Sequence, residues 1–375
     1  MVKLSHVIKE IILDVIGNNM EIGILTFHLA RNYGAVLQCY ALQEVLGRMG
    51  HHVSIINYQQ PYILEQFKPK RLFGIRSFIK TLVNGGIKDY IYRSTLPYIK
   101  RHNFENYRKR FLKETAPCYT IKDIPYFDLY IIGSDQPWNP DLTGGPDLVY
   151  WGQFVRKESS KLATYAMSGS LEAISKVGWS QIELYCKKFD FLSFREVSLA
   201  DKFSSFSNVP CVNSLDPTLL AAAHIWSPML SYKWQKRKYV LLYHVGGPRE
   251  VIDSMTKKAK DIAIKEGLEF IDASKYLYSP SDFVSLIKYA QYIVTASFHA
   301  MVFSLIFHKP FVVVNTGQAS DIRFYNLLSA LGIEQICLKD INEVEIPVKP
   351  DYDQIEEYLQ VMRKNSMDYL INITK

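Results

Sequence analysis

Short, wholly apolar runs alternate along this chain with stretches of helical spacing, and few folds can bury both. The first run is Ile22-Gly23-Ile24-Leu25-Thr26-Phe27. A polar loop from His28 to Gly34 follows, then residues 35–49 with Val36, Leu37, Tyr40, Ala41 and Val45 on one helical face. Gly50 stops that helix, and His52–Asn57 reads as the next strand. Continuous apolar runs suit strands covered on both faces, and a strand–helix–strand unit of this length is a parallel crossover.

The same reading predicts strands at 128–132, 162–166 and 191–194, each ending in polar, sharply turning residues: Gly133-Ser134-Asp135-Gln136, Ser168-Gly169-Ser170 and Arg195-Glu196. In open parallel sheets ligands bind beyond the carboxyl ends of the strands, so these ends are expected on one functional edge. A looser stretch over about 221–237 reads as a linker. A second series then begins, with strands at 239–245, 268–271, 292–295 and 311–314. Helices are expected at 249–266, 281–290 (capped by Ser279 or Ser281), 299–307 and 351–372. The expected fold is α/β, two Rossmann-like domains facing across a cleft. The divisions are an arm at 1–20, an N-terminal domain at 21–225 with a basic insertion at 68–113, a C-terminal domain at 226–350, and a C-terminal helix at 351–375.

Charge is concentrated in the insertion. Between Lys68 and Lys113 thirteen Lys and Arg face two acids, Asp89 and Glu105, so the rest of the chain is slightly acidic although the net charge is +7. Aromatic residues, among them Phe73, Tyr92, Tyr98, Phe104, Tyr107 and Phe111, are interleaved with these cations. Such a segment attracts an anionic membrane or a pyrophosphate-linked substrate, or is a solvated helical face. No nucleic-acid-binding motif accompanies it, and nucleic acid is not expected as a partner.

Five scattered cysteines, none in a C-x-x-C pair, indicate neither a disulfide framework nor a zinc site. Lys9, Glu10 and Asp14 interrupt the apolar N-terminus, and no run reaches the roughly 18 apolar residues of a membrane span. A cytoplasmic protein, peripheral at the inner membrane face through 68–113, is expected.

Two turns concentrate the candidate chemistry. Thr295-Ala296-Ser297-Phe298-His299-Ala300 is a very short strand-to-helix turn in which Ser297 can cap the helix. A helix N-terminus favours anions, and His299 in its first turn can add a charge or a proton; a capped helix with a buried histidine is the bland equivalent. Asn32-Tyr33-Gly34 repeats the logic, with a glycine where the backbone must approach something. It is neither G-x-G-x-x-G nor a P-loop. Asp135 suits an acid or base, or else a turn-stabilising cap. Arg195 can hold a carboxylate or phosphate bidentately, or else pair with Glu196 or Asp216. His28 and His244 stand at strand ends without metal-ligand spacing, and no metal is assigned.

Together these segments resemble the polysaccharide pyruvyl transferase family from about Ile22 to Leu338. Seven ordered blocks carry the resemblance: GILTFHLARNYGAVLQCYALQ, DLYIIGSDQPWNP, YAMSGS, SFREVSLADKF, LDPTLL, VTASFHAMVFSLIFHKPFVVV and ALGI. The resemblance implies a glycosyltransferase-B-like fold and transfer of pyruvate, without a cofactor, from phosphoenolpyruvate onto a sugar as a cyclic ketal. On that footing Arg195, His244, Ser297, Phe298, His299, Ala300 and Arg323 are expected around the donor. His28, Asn32, Tyr33, Gly34, Ser134, Asp135, Gln136 and Ser168 are expected toward the acceptor, and His299, Asp135 and Arg195 are the expected catalytic residues. The basic segment suggests a lipid-linked oligosaccharide as acceptor. Many relatives carry an arginine where this chain has Ser297, and Gly-Asp where it has Gly34-Ala35; Arg323 or a cation of the basic segment is the expected substitute. A nucleotide-sugar glycosyltransferase and an inactive saccharide-binding homologue are the alternatives.

Overall fold

The computed structural model describes residues 19–66, 95–275, 278–318 and 321–375. The expected arm, but for its last two residues, and positions 67–94 of the basic region lie outside the described residues.

Strands β1 (Glu21–Leu25), β2 (His52–Ile55), β3 (Leu129–Ile132) and β4 (Lys161–Thr164) form a parallel sheet in the order β2-β1-β3-β4. Bridges from Ala163 to Phe191 and from Met167 to Phe194 carry it on to β5 (Leu192–Phe194) and β6 (Cys211–Asn213), which also pair in parallel. The second sheet contains β7 (Tyr239–His244), β8 (Glu269–Asp272), β9 (Tyr292–Ala296), β10 (Phe311–Val314) and β11 (Cys337–Leu338), in the order β11-β10-β9-β7-β8. Counted within each domain, the two orders agree: second strand, first, third, fourth. The strand order reverses between β1 and β3 and again between β7 and β9, and at such a switch point the flanking helices diverge and leave a crevice.

The principal helices are α1 (Tyr33–Arg48), α2 (residues 95–111), α3 (Val197–Ser204), α4 (Arg249–Lys265), α5 (Pro280–Tyr289), α6 (Phe298–Ile306), α7 (Ile322–Ala330) and α8 (Tyr352–Ile373). Ser279, rather than Ser281, caps α5, in a reciprocal capping box with Asp282.

Alternate strand residues enter different cores, as the two-residue period of a strand requires. Ile22, Ile24, Leu129 and Ile131 face inward, as do Tyr239, Leu241, Ile293 and Val313 from the other sheet. Leu25, Tyr130 and Ile132 face an outer core of the first domain, and Val240, Leu242 and Val294 an outer core of the second. The inner core is one continuous cluster shared by both domains, built on α1, α5 and α6. The expected cleft is therefore filled with apolar side chains over much of its depth, and a cavity remains where the strands end.

The expected linker is part of this filling. Its 3-10 turns at Ala223–Met229 and Tyr232–Trp234 bury Ile225, Trp226, Met229 and Trp234, because the Trp226 ring wedges between Tyr40 of α1 and Phe303 of α6. Helix α8 also ties the domains together. Its first residue, Tyr352, donates to the carbonyls of Ser304 and Lys309, whereas Tyr369 near its end donates to the carbonyl of Thr164. Within the basic region, α2 buries Phe104 and Tyr107 in the inner core, and Arg108 is paired bidentately with Glu114. Those two aromatics are core residues, not a surface offered to a ligand.

Candidate active site

The site forms where α1 and α6 start. Asn32 caps α1, its Oδ1 accepting from the N–H groups of Gly34 (2.8 Å) and Ala35 (3.4 Å). Ser297 caps α6, its Oγ accepting from Ala300 at 3.5 Å. Strand β9 hands over to α6 through Ser297 alone, so the backbone N–H groups of Phe298 and His299 stand at the strand's carboxyl end. The starts of both helices, Asn32–Ala35 and Ser297–His299, line a cavity of about 410 Å³ bounded by both domains. Two positive helix ends thus converge on one space.

The turns touch directly. A Cβ on Gly34 would lie 2.0 Å from Nδ1 of His299, so only a glycine lets the imidazole seat against α1. Tyr33, the residue before it, is fully buried: its ring stacks on Phe283 of α5 at 4.3 Å, and its hydroxyl donates to the carbonyl of Tyr278. Phe298, at the same position of α6, carries the guanidinium groups of Arg195 and Arg323 at 4.7 and 5.9 Å from its ring centre.

Behind Phe298 lies a buried polar network. Arg195, which follows β5, donates to Asp216 (2.7 Å), to Glu196 (3.3 Å) and to the Ser168 hydroxyl. The Glu196 carboxylate also accepts from Ser168 Oγ (2.8 Å) and from the backbone N–H of Gly169 (3.3 Å). Asp216 caps the short helix Pro217–Leu220 with one oxygen, which accepts from the Thr218 N–H and hydroxyl. Its other oxygen receives Arg195 and stands 3.6 Å from Nε2 of His299. Burial opposes ionisation of Asp216, but His299, Arg195 and Thr218 outweigh it and hold the carboxyl well below the usual range. A second cavity of about 390 Å³ adjoins this network and shares Phe298 and Arg323 with the first.

The family model of the polysaccharide pyruvyl transferases matches residues 32–318, more than half of the chain. The chain belongs to this family. No curated protein matches it. Among solved structures, UDP-GlcNAc 2-epimerase from Methanocaldococcus jannaschii is similar at 11% identity and a TM-score of 0.41, covering 92% of this chain and 93% of that one. The E. coli heptosyltransferase WaaC with ADP is similar at 10% identity and a TM-score of 0.39, covering 92% and 100%. Likenesses this distant carry nothing about activity. The layout expected of a pyruvyl transferase, two Rossmann-like domains across a cleft, is the one the two sheets form.

Of the residues expected from the sequence, Asn32, Tyr33, Gly34, Asp135, Gln136, Ser297, Phe298, His299 and Arg323 border the first cavity. Asp135 adopts φ +70°, left-handed and uncommon for a side-chain-bearing residue, just after Gly133 at φ +114°. Its carboxylate has no hydrogen-bond partner among the described residues, and its charge acts on both Arg195 and Arg323. Ser297 is 4% exposed, so the position that many family members fill with arginine is occupied here by a buried cap. Arg323, from α7, brings a cation to the neighbouring Phe298 ring.

Other expectations are corrected. His28 is fully buried, its ring nitrogens against the Thr26 carbonyl and Asn57 Oδ1, and burial lowers its pKa; it does not border the first cavity. Ser134 is likewise buried, donating to the Ala166 carbonyl. Ser168 belongs to the Arg195–Glu196 network, and Ala300 is wholly buried within α6. His244 ends β7 but does not border the first cavity, although Tyr243 and Val245 do. The Arg195 side chain is 6% exposed, paired with Glu196 and Asp216, and borders the second cavity instead of the first. Asp216 was not foreseen as a site residue. The sequence shows it as the start of Asp-Pro-Thr, which reads as a cap, and only the fold reveals the second oxygen's neighbours.

Among the described residues no helix is long and apolar enough to cross a membrane.

Proposed function

We propose that the cavity at the two helix ends transfers pyruvate from phosphoenolpyruvate onto a saccharide. The observation that carries this reading is the convergence of two helix N-termini, Arg323 and His299 on one space, since phosphoenolpyruvate presents both a phosphate and a carboxylate. The donor phosphate fits the N–H groups of Phe298 and His299. Burial first, and Arg195 second, lower the pKa of Arg323. Glu196, Asp135 and Asp216 act on it in the opposite direction.

The chemistry needs a proton delivered to the enol methylene, which makes C2 electrophilic. One sugar hydroxyl adds to C2, and its proton replaces the one delivered. The second hydroxyl adds as the C–O bond to phosphate breaks, and its proton leaves with phosphate. His299 and Asp135, which both line the cavity, are the proton carriers. The acceptor side is the first domain's wall at Asn32 and Gln136. A saccharide linked through pyrophosphate to a lipid suits the cationic segment 68–113, which would keep the protein at an anionic membrane surface.

Thermal melting with phosphoenolpyruvate and with UDP tests the reading. Stabilisation by phosphoenolpyruvate, lost in Arg323→Ala, is expected. Stabilisation by UDP alone would point to a nucleotide-sugar enzyme, and stabilisation by neither to a protein without this donor.

A further inference from the structure

His299 meets different surroundings at its two ring nitrogens. Nε2 is buried and has no hydrogen-bond partner among the described residues, and the nearest acceptor is Asp216 Oδ2 at 3.6 Å. Nδ1 lies on the other side of the ring, over the Gly34 Cα, at the edge of the first cavity. The Asp216 carboxylate cannot turn away from the ring, because Thr218 takes its other oxygen twice and Arg195 holds Oδ2. Arg195 is fixed in turn by Glu196 and Ser168. The imidazole is therefore clamped between a fixed carboxylate and a glycine.

We infer that Asp216 is a positioning residue that holds the His299 proton on Nε2, so that His299 works on the donor through Nδ1. An N–H that is buried without an acceptor is costly, and a shift of under an ångström brings Nε2–H into hydrogen-bond range of Oδ2. With Nε2 so occupied, neutral His299 offers the Nδ1 lone pair to the cavity, and protonated His299 offers Nδ1–H. The chain Ser168–Glu196–Arg195–Asp216 holds the carboxylate in its place beside the ring. Asp216, Arg195, Glu196, Asp135 and Arg323, from both domains, act on one another electrostatically around this network.

This inference rests on the proposed reaction only for the step that His299 serves; the tautomer itself is independent of substrate. The test is long-range proton–nitrogen NMR on the full chain labelled with ¹⁵N-histidine, the 299 signals being assigned from a His299→Gln spectrum. The expected wild-type pattern is an Nε2–H tautomer at high pH. In Asp216→Asn the tautomer bias falls, and the Nδ1–H form appears beside the Nε2–H form. Arg195→Gln, which frees Asp216 Oδ2 from its competing donor, strengthens the Nε2–H bias and serves if the first variant does not fold. An Nδ1–H tautomer in the wild type, or a tautomer ratio that neither variant moves, overturns the inference. Phosphoenolpyruvate is then added to the wild type. If the tautomer is as expected but the ligand perturbs no His299 signal, the donor assignment fails and the clamp stands.

Discussion

The turns that begin α1 and α6 are the same device with different contents. Asn32 and Ser297 are the caps, Tyr33 and Phe298 the aromatic first residues, and Gly34 and His299 the second residues. In the first domain the aromatic is driven into the inner core and the next position is empty of side chain. In the second domain the aromatic stays at the cavity under two arginines, and the next position carries the imidazole that fills the vacancy. One turn supplies a reactive group and the other a seat for it. A site divided in this way exists only when both domains are docked, and the shared core provides the docking.

The comparison breaks most visibly at the aromatic pair. Tyr33→Ala should cost about 3–5 kcal/mol in urea unfolding, because the cavity opens at the centre of the shared core. Phe298→Ala should cost less, since that ring borders two existing cavities; an equal loss would mean that the two turns are equally structural.

Asp216→Asn should destabilise by roughly 2–3 kcal/mol at neutral pH, having removed charge-assisted hydrogen bonds from Arg195. Its folded-state pKa is depressed, so the wild-type advantage is fully present above about pH 4–5, the unfolded carboxylate range, and fades as the pH falls through the lower folded value. Unfolding across that window checks the sign. A difference that persists into strong acid would rule out charge as its source.

Gly34→Ala forces His299 from its seat. The expected loss is about 1–3 kcal/mol of stability, together with on the order of 100-fold in any turnover that His299 serves. Double mutation with His299→Ala should restore most of the stability, as no ring is then displaced. At the caps, Asn32→Ala should cost about 1 kcal/mol, and Ser297→Ala less, its bond being 3.5 Å long.

Much of the fold was legible because it is local. The apolar run at 311–314 is β10 to the residue, and α1, α4 and α8 begin and end within two residues of their sequence patterns. The three-residue β6 and two-residue β11 were not foreseen, since such short strands have no period to read and depend on a neighbouring sheet for their bonds. The same distinction runs through the site. Caps and first-turn residues follow from chemistry over three or four positions, so Asn32, Ser297 and His299 could be singled out. His28 misled because a polar residue at a strand end looks the same whether the fold turns it toward the cavity or beneath it, and Asp216, legible as a pairing partner for Arg195, gave no sign of its nearness to His299.

The two strand-to-helix turns were thus determined by the sequence alone, including the need for something to approach Gly34. Only the tertiary structure decided that this something is His299, and that Asp216 stands at its far nitrogen. The reason is physical. A cap is satisfied within its own helix, whereas the surroundings of a ring nitrogen depend on how two sheets are held together, and here one apolar core spanning both domains fixes that.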